Sequence, residues 1–187
     1  RRQSAVLEDR QMREEVELLK DHAGFVKVLS RLVARGHDVY GVIIGDGHEA
    51  GVAWRTAQEL GIAERLRTSP ARTDINRLLP GLDVFMLSSS WGEAFPLSVA
   101  EAMACGVPAV ATDVGDCAWL VGDEDLISAP NDPDAQAAIV SKLLSLCESE
   151  RSQLGLAARK RVVANFSLKN YVAQHVALYE QALRRRA

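Results

Sequence analysis

An α/β fold, a mostly parallel sheet with helices on both faces, is the expectation for this chain, and two patterns predict it. Short β-branched runs that are apolar on both sides alternate with amphipathic segments of roughly ten to fifteen residues, the mark of β-α-β units rather than hairpins. After residue 132 the strand-like runs stop and only helical periodicity remains, which predicts C-terminal helices packed alongside the sheet.

The elements follow in order. Residues 21–35 carry Phe25, Val28, Leu29, Leu32 and Val33 at helical spacing, with Gly36 as a stop. Residues 39–44 are short, β-branched and apolar throughout, as in a strand covered on both faces. Gly45-Asp46-Gly47 turns the chain into a helix over 49–60, closed by Gly61. A short strand near 65–68 and a turn at Ser69-Pro70 come next. Thr73 is placed to cap a helix that Pro80-Gly81 breaks. Residues 83–87 form a second buried-strand pattern, and a polar loop, 88–93, leads to a helix over 96–105 that Gly106 ends. Residues 107–112 read as strand, 116–121 as a short helix and 126–128 as a weak strand. Helices over 134–146, 148–165 and 168–183 complete the chain, with Asp132 or Asp134 and Ser167 as N-caps. Arg184-Arg185-Arg186 reads as a solvated tail favoured by the helix dipole.

Composition narrows the function. The 187 residues suit one domain of ordinary size, able to bury roughly 70% of its unfolded surface without a disulfide or metal staple. Hydrophobic residues make up 48% and charged residues 25%, which excludes a disordered tail, a collagen-like chain and a rod. The net charge of -3 and pI near 5.8 argue against a nucleic-acid partner. No apolar run approaches the ~20 residues of a bilayer span. Acidic and basic residues at 8–10 leave no signal-peptide core at the N-terminus. Cys105, Cys117 and Cys147 are odd in number and lack C-x-x-C spacing, so they read as buried or half-buried thiols in a reducing compartment.

In parallel sheets ligands sit outside the carboxyl ends of the strands, so the informative loops are 45–48, 69–72, 88–95 and 113–117. The segment from Ser88 to Pro108 is the strongest. Pro96 suits a first helical turn, and the backbone N–H groups of Leu97 and Ser98 are then left to point out of the helix start. That makes an anion site without a basic side chain. Glu93 precedes this helix and Glu101 lies eight residues later within it. They cannot share a face at i, i+4, but they can bracket a ligand lying along the helix start, and carboxylates accept hydrogen bonds from sugar hydroxyls. The plain alternative is a helix N-terminal acid and an exposed helical charge. Ala100, Ala102, Met103, Ala104 and Gly106 mark a packed helix, however, in which an acid is costly without a partner.

Weaker signals have bland readings. Gly45-Asp46-Gly47-His48-Glu49-Ala50-Gly51 is not the dinucleotide fingerprint, and Arg67, Thr68 and Ser69 stand where an acid should hold a cofactor ribose. It reads as a tight turn whose backbone, at Gly45, can line a base pocket. Asp123-Glu124-Asp125 has the spacing of a divalent-metal grip but reads as a solvated acidic turn, and His22, His37, His48 and His175 show no metal-ligand spacing. His22, close to Lys20 at a helix start, reads as a surface residue, with contact to a ligand's phosphates as the alternative. Ser88-Ser89-Ser90 lacks the hydrolase elbow. Arg159-Lys160-Arg161 and the terminal arginines read as a solvated helix face, with weak peripheral contact to anionic lipid as the alternative.

The segment Gly92–Pro108 resembles the signature of group 1 glycosyltransferases, also called glycosyltransferase family 4. Their motif is Glu, seven residues, Glu, then Ala-Met-Ala-x-Gly-x-Pro; here it reads Glu93, then Glu101-Ala102-Met103-Ala104-Cys105-Gly106-Val107-Pro108. The similarity extends to Lys20-Asp21-His22, to residues 42–47 and 83–88, to Asn165-Phe166-Ser167 and to Tyr179, covering about residues 20–180. It implies a Rossmann-like, GT-B C-terminal half: one nucleotide-sugar-binding domain over 1–187, with a poorly matched segment at 1–19 and a helical part at 133–187. It implies a retaining transferase that moves a hexosyl group from a nucleoside-diphosphate sugar to a glycan or lipid-linked acceptor. The resemblance gives Glu93 the donor sugar, Glu101 the ribose and Lys20 the diphosphate. Backbone amides at Ala94, Phe95, Pro96, Leu97 and Ser98 are implied to meet the sugar and phosphates. Neither metal nor organic cofactor is implied; the leaving group is stabilised by Lys20 and the helix dipole. The implied location is cytoplasmic, at or near the inner face of the membrane.

Several positions depart from the family pattern. Glu15 stands about where an Arg pairs with the Lys, and Arg10 and Arg13 lie at the wrong spacing. Pro70 replaces a Gly, Asp116 the second Gly of a pair, and Trp119 a Glu. No preceding acceptor-binding domain is present in the sequence, so the partners expected are that GT-B N-terminal domain, a nucleotide sugar and an acceptor. The alternative function is a non-catalytic module that binds nucleotide or nucleotide sugar.

Overall fold

The computed structural model describes residues 3–46 and 50–185, apart from 9–19, with the side chains of 3–8 left aside. It contains a six-stranded sheet of order β3-β2-β1-β4-β5-β6, with β1 Gln3–Glu8, β2 Val39–Ile44, β3 Leu66–Ser69, β4 Val84–Leu87, β5 Ala109–Thr112 and β6 Ile127–Ser128. Every neighbouring pair is parallel. The helices are α1 His22–Ala34, α2 Val52–Glu59, α3 Ile75–Leu78, α4 Leu97–Ala104, α5 Cys117–Val121, α6 Pro133–Ser145, α7 Glu148–Phe166 and α8 Leu168–Arg184.

Chain order explains the layers. From β1 the chain steps outward through α1 to β2 and through α2 to β3; from β4 it steps the other way through α4 to β5 and through α5 to β6. Right-handed crossovers running in opposite directions put the two helix sets on opposite faces. Accordingly α1 packs on α2 and on α6, which crosses back beneath β4–β6, while α4 packs on α5 and α7. Strands β4 and β5 are buried along their whole length, and Phe25, Leu29 and Leu32 of α1 are at most 2% exposed. The expected fold class is therefore the one observed, with most boundaries within a residue or two.

Three local differences stand against the sequence expectation. Strand β1 occupies the sheet centre yet escapes a sequence reading, because only Ala5-Val6-Leu7 is apolar where a doubly covered strand normally shows a longer run. Asp74, not Thr73, precedes α3, which is a single turn. Pro96 is the N-cap of α4 rather than its first helical residue. Asp132 and Ser167 cap α6 and α8 as expected, accepting from Ala135 N and Asn170 N. Asp123 accepts from Asp125 N in an exposed turn, which matches the solvated acidic reading.

The basic run on α7 faces inward more than expected. Arg159 donates to Ala104 O at the end of α4; Arg161 donates to Leu120 O, at 2.9 Å, and to Trp119 O at the end of α5. Cations on helix carbonyl ends are favourable, so two of the three basic side chains tie helices together. Gly155 makes this packing possible: a Cβ there would lie 1.9 Å from Gly106 O.

Cys117 is fully buried, Cys105 half-buried and Cys147 exposed, the last against expectation. Burial, then the negative charge of Glu93, pushes the Cys117 thiol up to about 11. Thiolate is the reactive form, so at pH 8 a thiol reagent should modify Cys147 quickly and Cys117 only on unfolding; rapid native labelling of Cys117 would contradict this packing. Gly155→Ala should destabilise the fold by about 1–3 kcal/mol, lowering the thermal midpoint by about 2–4 °C per kcal/mol. Gly81→Ala, which meets no atom within 4 Å, is the matched control and should leave the midpoint in place.

Candidate active site

Strand order reverses between β1 and β4, and the helices that follow those strands, α1 and α4, lie on opposite faces of the sheet. Such a switch point forms a crevice at the carboxyl edge of the sheet. Lys20 enters it from the β1 side, just ahead of α1, and Glu93 from the loop after β4. The two meet: Lys20 Nζ lies 2.5 Å from Glu93 Oε1, with the side chains 18% and 7% exposed. The pair is largely withdrawn from water but open on one side. Desolvation offsets most of the attraction in such a pair, so fold stability alone gives little reason to keep it.

The approach of Lys20 is set by Asp21, which adopts the left-handed region, φ 49°, and caps α1 by accepting from Gly24 N at 2.8 Å. A side chain at position 24 would strike that carboxylate, since a Cβ would fall 2.1 Å from Asp21 Oδ2. Ser88 Oγ lies 3.0 and 3.1 Å from the carbonyl oxygens of Lys20 and Asp21, donating to this turn.

The approach of Glu93 is set by the loops after β4, β5 and β6. Ser89, fully buried, donates from Oγ to Glu93 Oε1 at 2.6 Å, and its own carbonyl accepts from Thr112 Oγ1 at 2.6 Å. Ser90 donates to Asn131 Oδ1 at 2.9 Å, and Gln136 Nε2 to Leu87 O at 2.9 Å. Gly115, at φ 55°, lies so close that a Cβ would sit 1.8 Å from Glu93 O, and Asp116 N donates to Ala94 O at 3.0 Å. The Asp116 substitution thus keeps its backbone in the support of the loop.

Beyond Glu93 the chain enters α4, whose N-cap, Pro96, makes no side-chain cap bond. The first N–H groups of this helix, at Leu97, Ser98 and Val99, precede the first intrahelical acceptor register. They carry the positive end of the dipole and can hold an anion. Leu97 is exposed, Ser98 half-buried and Pro96 buried. Ala94 is exposed, and the Phe95 ring packs against Trp119 and Phe166 with centroids 6.3 and 5.4 Å away.

Of the site residues expected from sequence, Lys20 and Glu93 are brought into direct contact. Glu101 is half-buried in α4; its carbonyl accepts from Cys105 N at 3.0 Å, while among the described residues none hydrogen-bonds to or ion-pairs with its carboxylate. Gly45 follows β2 directly, and its N–H is committed to Ser69 O at 2.9 Å, so it is not available as a donor to a ligand. His22 is fully buried, not a surface residue. Arg10, Arg13, Glu15 and His48 lie outside the described residues. Among the described residues no cluster of His, Cys, Asp or Glu is arranged to hold a metal ion. A separate cavity of about 180 Å³, lined by Met103, Pro108, Leu154 and Ala158 among others, opens toward α7, away from the Lys20–Glu93 pair. Sequence reasoning missed Ser88, Ser89 and Gly115; the available signal was three hydroxyls closing a buried strand just before the acid.

Comparisons with known proteins bear on the family and the fold. A profile of the family described as Glycosyl transferases group 1 matches residues 14–161. An MMP α-(1→4)-mannosyltransferase of Mycolicibacterium hassiacum is 36% identical over 132 residues, 68% of this chain and 32% of its own length. The crystal structure of a glycosyltransferase from Rickettsia africae superposes with a TM-score of 0.84 at 21% identity, covering 97% of this chain and 48% of that one. Anabaena HepE in complex with UDP-glucose gives 0.80 at 18% identity, covering 97% and 49%. The chain thus spans about a third of the curated relative and about half of each solved chain. With the switch-point crevice and the Glu93–Glu101 spacing in place, the match to most of its length shows that the chain belongs to the group 1 glycosyltransferases and carries the fold of a GT-B half.

Proposed function

We propose that this chain is the donor-binding half of a retaining glycosyltransferase that moves a hexosyl group from a nucleoside-diphosphate sugar to a glycan or lipid-linked acceptor. The observation that carries the reading is the Lys20–Glu93 contact beside the uncapped start of α4. In this reading the ammonium and the backbone N–H groups that open α4 serve the diphosphate together. Next to them stands a carboxylate that can accept from sugar hydroxyls.

The roles follow. Lys20 neutralises the diphosphate and, with the α4 dipole, the charge that grows on the leaving nucleotide. Glu93 orients the sugar, and Glu101 takes the ribose diol. The backbone N–H groups of Ala94, Phe95, Leu97 and Ser98 line the path between them; Pro96, without an N–H, offers no donor. No step in this scheme calls for a metal. A UDP-glucose complex of HepE and the mannosyltransferase activity named for the M. hassiacum protein support a nucleotide-sugar donor without choosing the base or the sugar here.

Transfer also needs an acceptor held in line, which in well-oriented systems is worth roughly 7–11 kcal/mol. We assign that task to an acceptor-binding domain that closes over the crevice. Helix α8 supports this: none of its residues is buried, and Tyr171, Val172, Val176, Tyr179 and Leu183 leave an apolar stripe 50–69% exposed. A stripe of that extent on a single helix marks an interaction face.

The test is calorimetric titration of the chain with UDP, GDP and ADP and with their glucose or mannose conjugates. One pair should bind, and Lys20→Ala should weaken the nucleotide about tenfold, the loss of one charge-assisted contact. Glu93→Ala should weaken the nucleotide sugar and spare the nucleotide. No binding of any pair at millimolar concentration contradicts the reading. Transfer on adding the acceptor-binding half distinguishes the enzyme from a module that only binds. Gly115→Ala should push the Glu93 backbone out of place, cost about 1–3 kcal/mol of stability and weaken nucleotide-sugar binding.

A further inference from the structure

Three successive serines close β4, and each hydroxyl ties the strand end to a different element: Ser88 to the start of α1, Ser89 to Glu93 and Ser90 to Asn131. Ser89 is the one that touches a functional group. We propose that Ser89 is a positioning residue for Glu93: its hydroxyl and the Lys20 ammonium together occupy Oε1 and so turn Oε2 toward the donor sugar. The inference rests on the reading of Glu93 as the sugar-contacting carboxylate.

The geometry is directional. A serine hydroxyl has one proton, and an ionised carboxylate can only accept, so in the 2.6 Å contact Ser89 donates. Ser89 is fully buried, so water does not stand ready to replace the bond. Its backbone is fixed as well, because Thr112 donates to its carbonyl from the neighbouring strand. The Lys20 ammonium approaches the same oxygen at 2.5 Å. The terminal torsion of a glutamate is broad and nearly two-fold; two donors converging on Oε1 select one orientation. Oε2 accepts from no described residue, which leaves it as the acceptor on offer to a hydroxyl of the ligand. When a diphosphate draws Lys20 toward itself, the Ser89 bond is the one that still holds the carboxylate.

The experiment is calorimetry on the full 187-residue chain and on Ser89→Ala, Glu93→Ala and the double variant, with UDP and UDP-glucose, GDP and GDP-mannose, and ADP and ADP-glucose. For the pair that binds, Ser89→Ala is expected to weaken the nucleotide sugar about tenfold, the scale of a hydrogen bond to a charged group, while moving the nucleotide by less than about twofold. In the Glu93→Ala background, Ser89→Ala is expected to change neither. Ser89→Thr and Ser89→Val, equal in shape, isolate the hydroxyl if the alanine variant folds poorly; Thr should bind the nucleotide sugar better than Val. Equal weakening of nucleotide and nucleotide sugar, or a Ser89→Ala effect undiminished without Glu93, means that Ser89 is only structural and overturns the proposal. So does a Ser89→Ala chain indistinguishable from a parent that binds. A parent that binds none of the three pairs instead overturns the donor-site reading, and this inference with it.

Discussion

A carboxylate held in a crevice, nearly out of water and facing an ammonium, is the constraint around which the rest of the structure is arranged. Glu93 is 7% exposed and Lys20 18%. Taking both charges from water costs several kcal/mol for each ion, and their attraction returns this only with good geometry and further hydrogen bonds. Here the geometry is supplied from outside the pair. Ser89 adds a third group to the carboxylate, and Ser88 holds the turn that delivers Lys20. Remove the supports and the two charges have every reason to part and solvate.

Those supports explain the polar residues at an otherwise apolar sheet edge. Thr112 closes β5 and reaches the carbonyl of Ser89; Gln136 comes from α6 to reach Leu87 O; both are buried. Buried polar groups are costly unless paired, and each of these is paired to the backbone at the end of β4 or just beyond it. Gly115 and Asp116 complete the cradle from the next loop, one by close approach and one through its amide. Groups from β5, from the loop after it and from α6 therefore hold the backbone of the segment that carries Glu93.

The opposite ends of the helices on the α4 side are held with the same economy. Arg159 and Arg161 of α7 reach the carbonyl ends of α4 and α5, and Gly155 lets α7 lie against Gly106. Helix α4 is thus anchored at its C-terminus while its N-terminus stays uncapped by any side chain. That asymmetry suits a helix whose free amides meet a ligand: the donor end must stay open, so rigidity has to come from the other end. Helix α8 shares none of this packing and leaves its apolar stripe to a neighbouring domain, in the reading we propose.

Much of this was legible in the residue order. The alternation of buried-strand and amphipathic patterns specified a parallel α/β sheet, because strand and helix periodicities survive in a single sequence. Glu93 and Glu101 were singled out as candidates by the family motif around a helix start, at the carboxyl end of a parallel strand where a loop can face a ligand. Strand β1 was hidden, since its three apolar residues carry too little pattern for a strand at the sheet centre. The Lys20–Glu93 contact, across 73 positions, and the part played by Ser89 were not readable either. A local pattern reports which face of an element is apolar; which loop tips meet depends on strand order and on which atoms fill the space between them, and only the folded chain decides that.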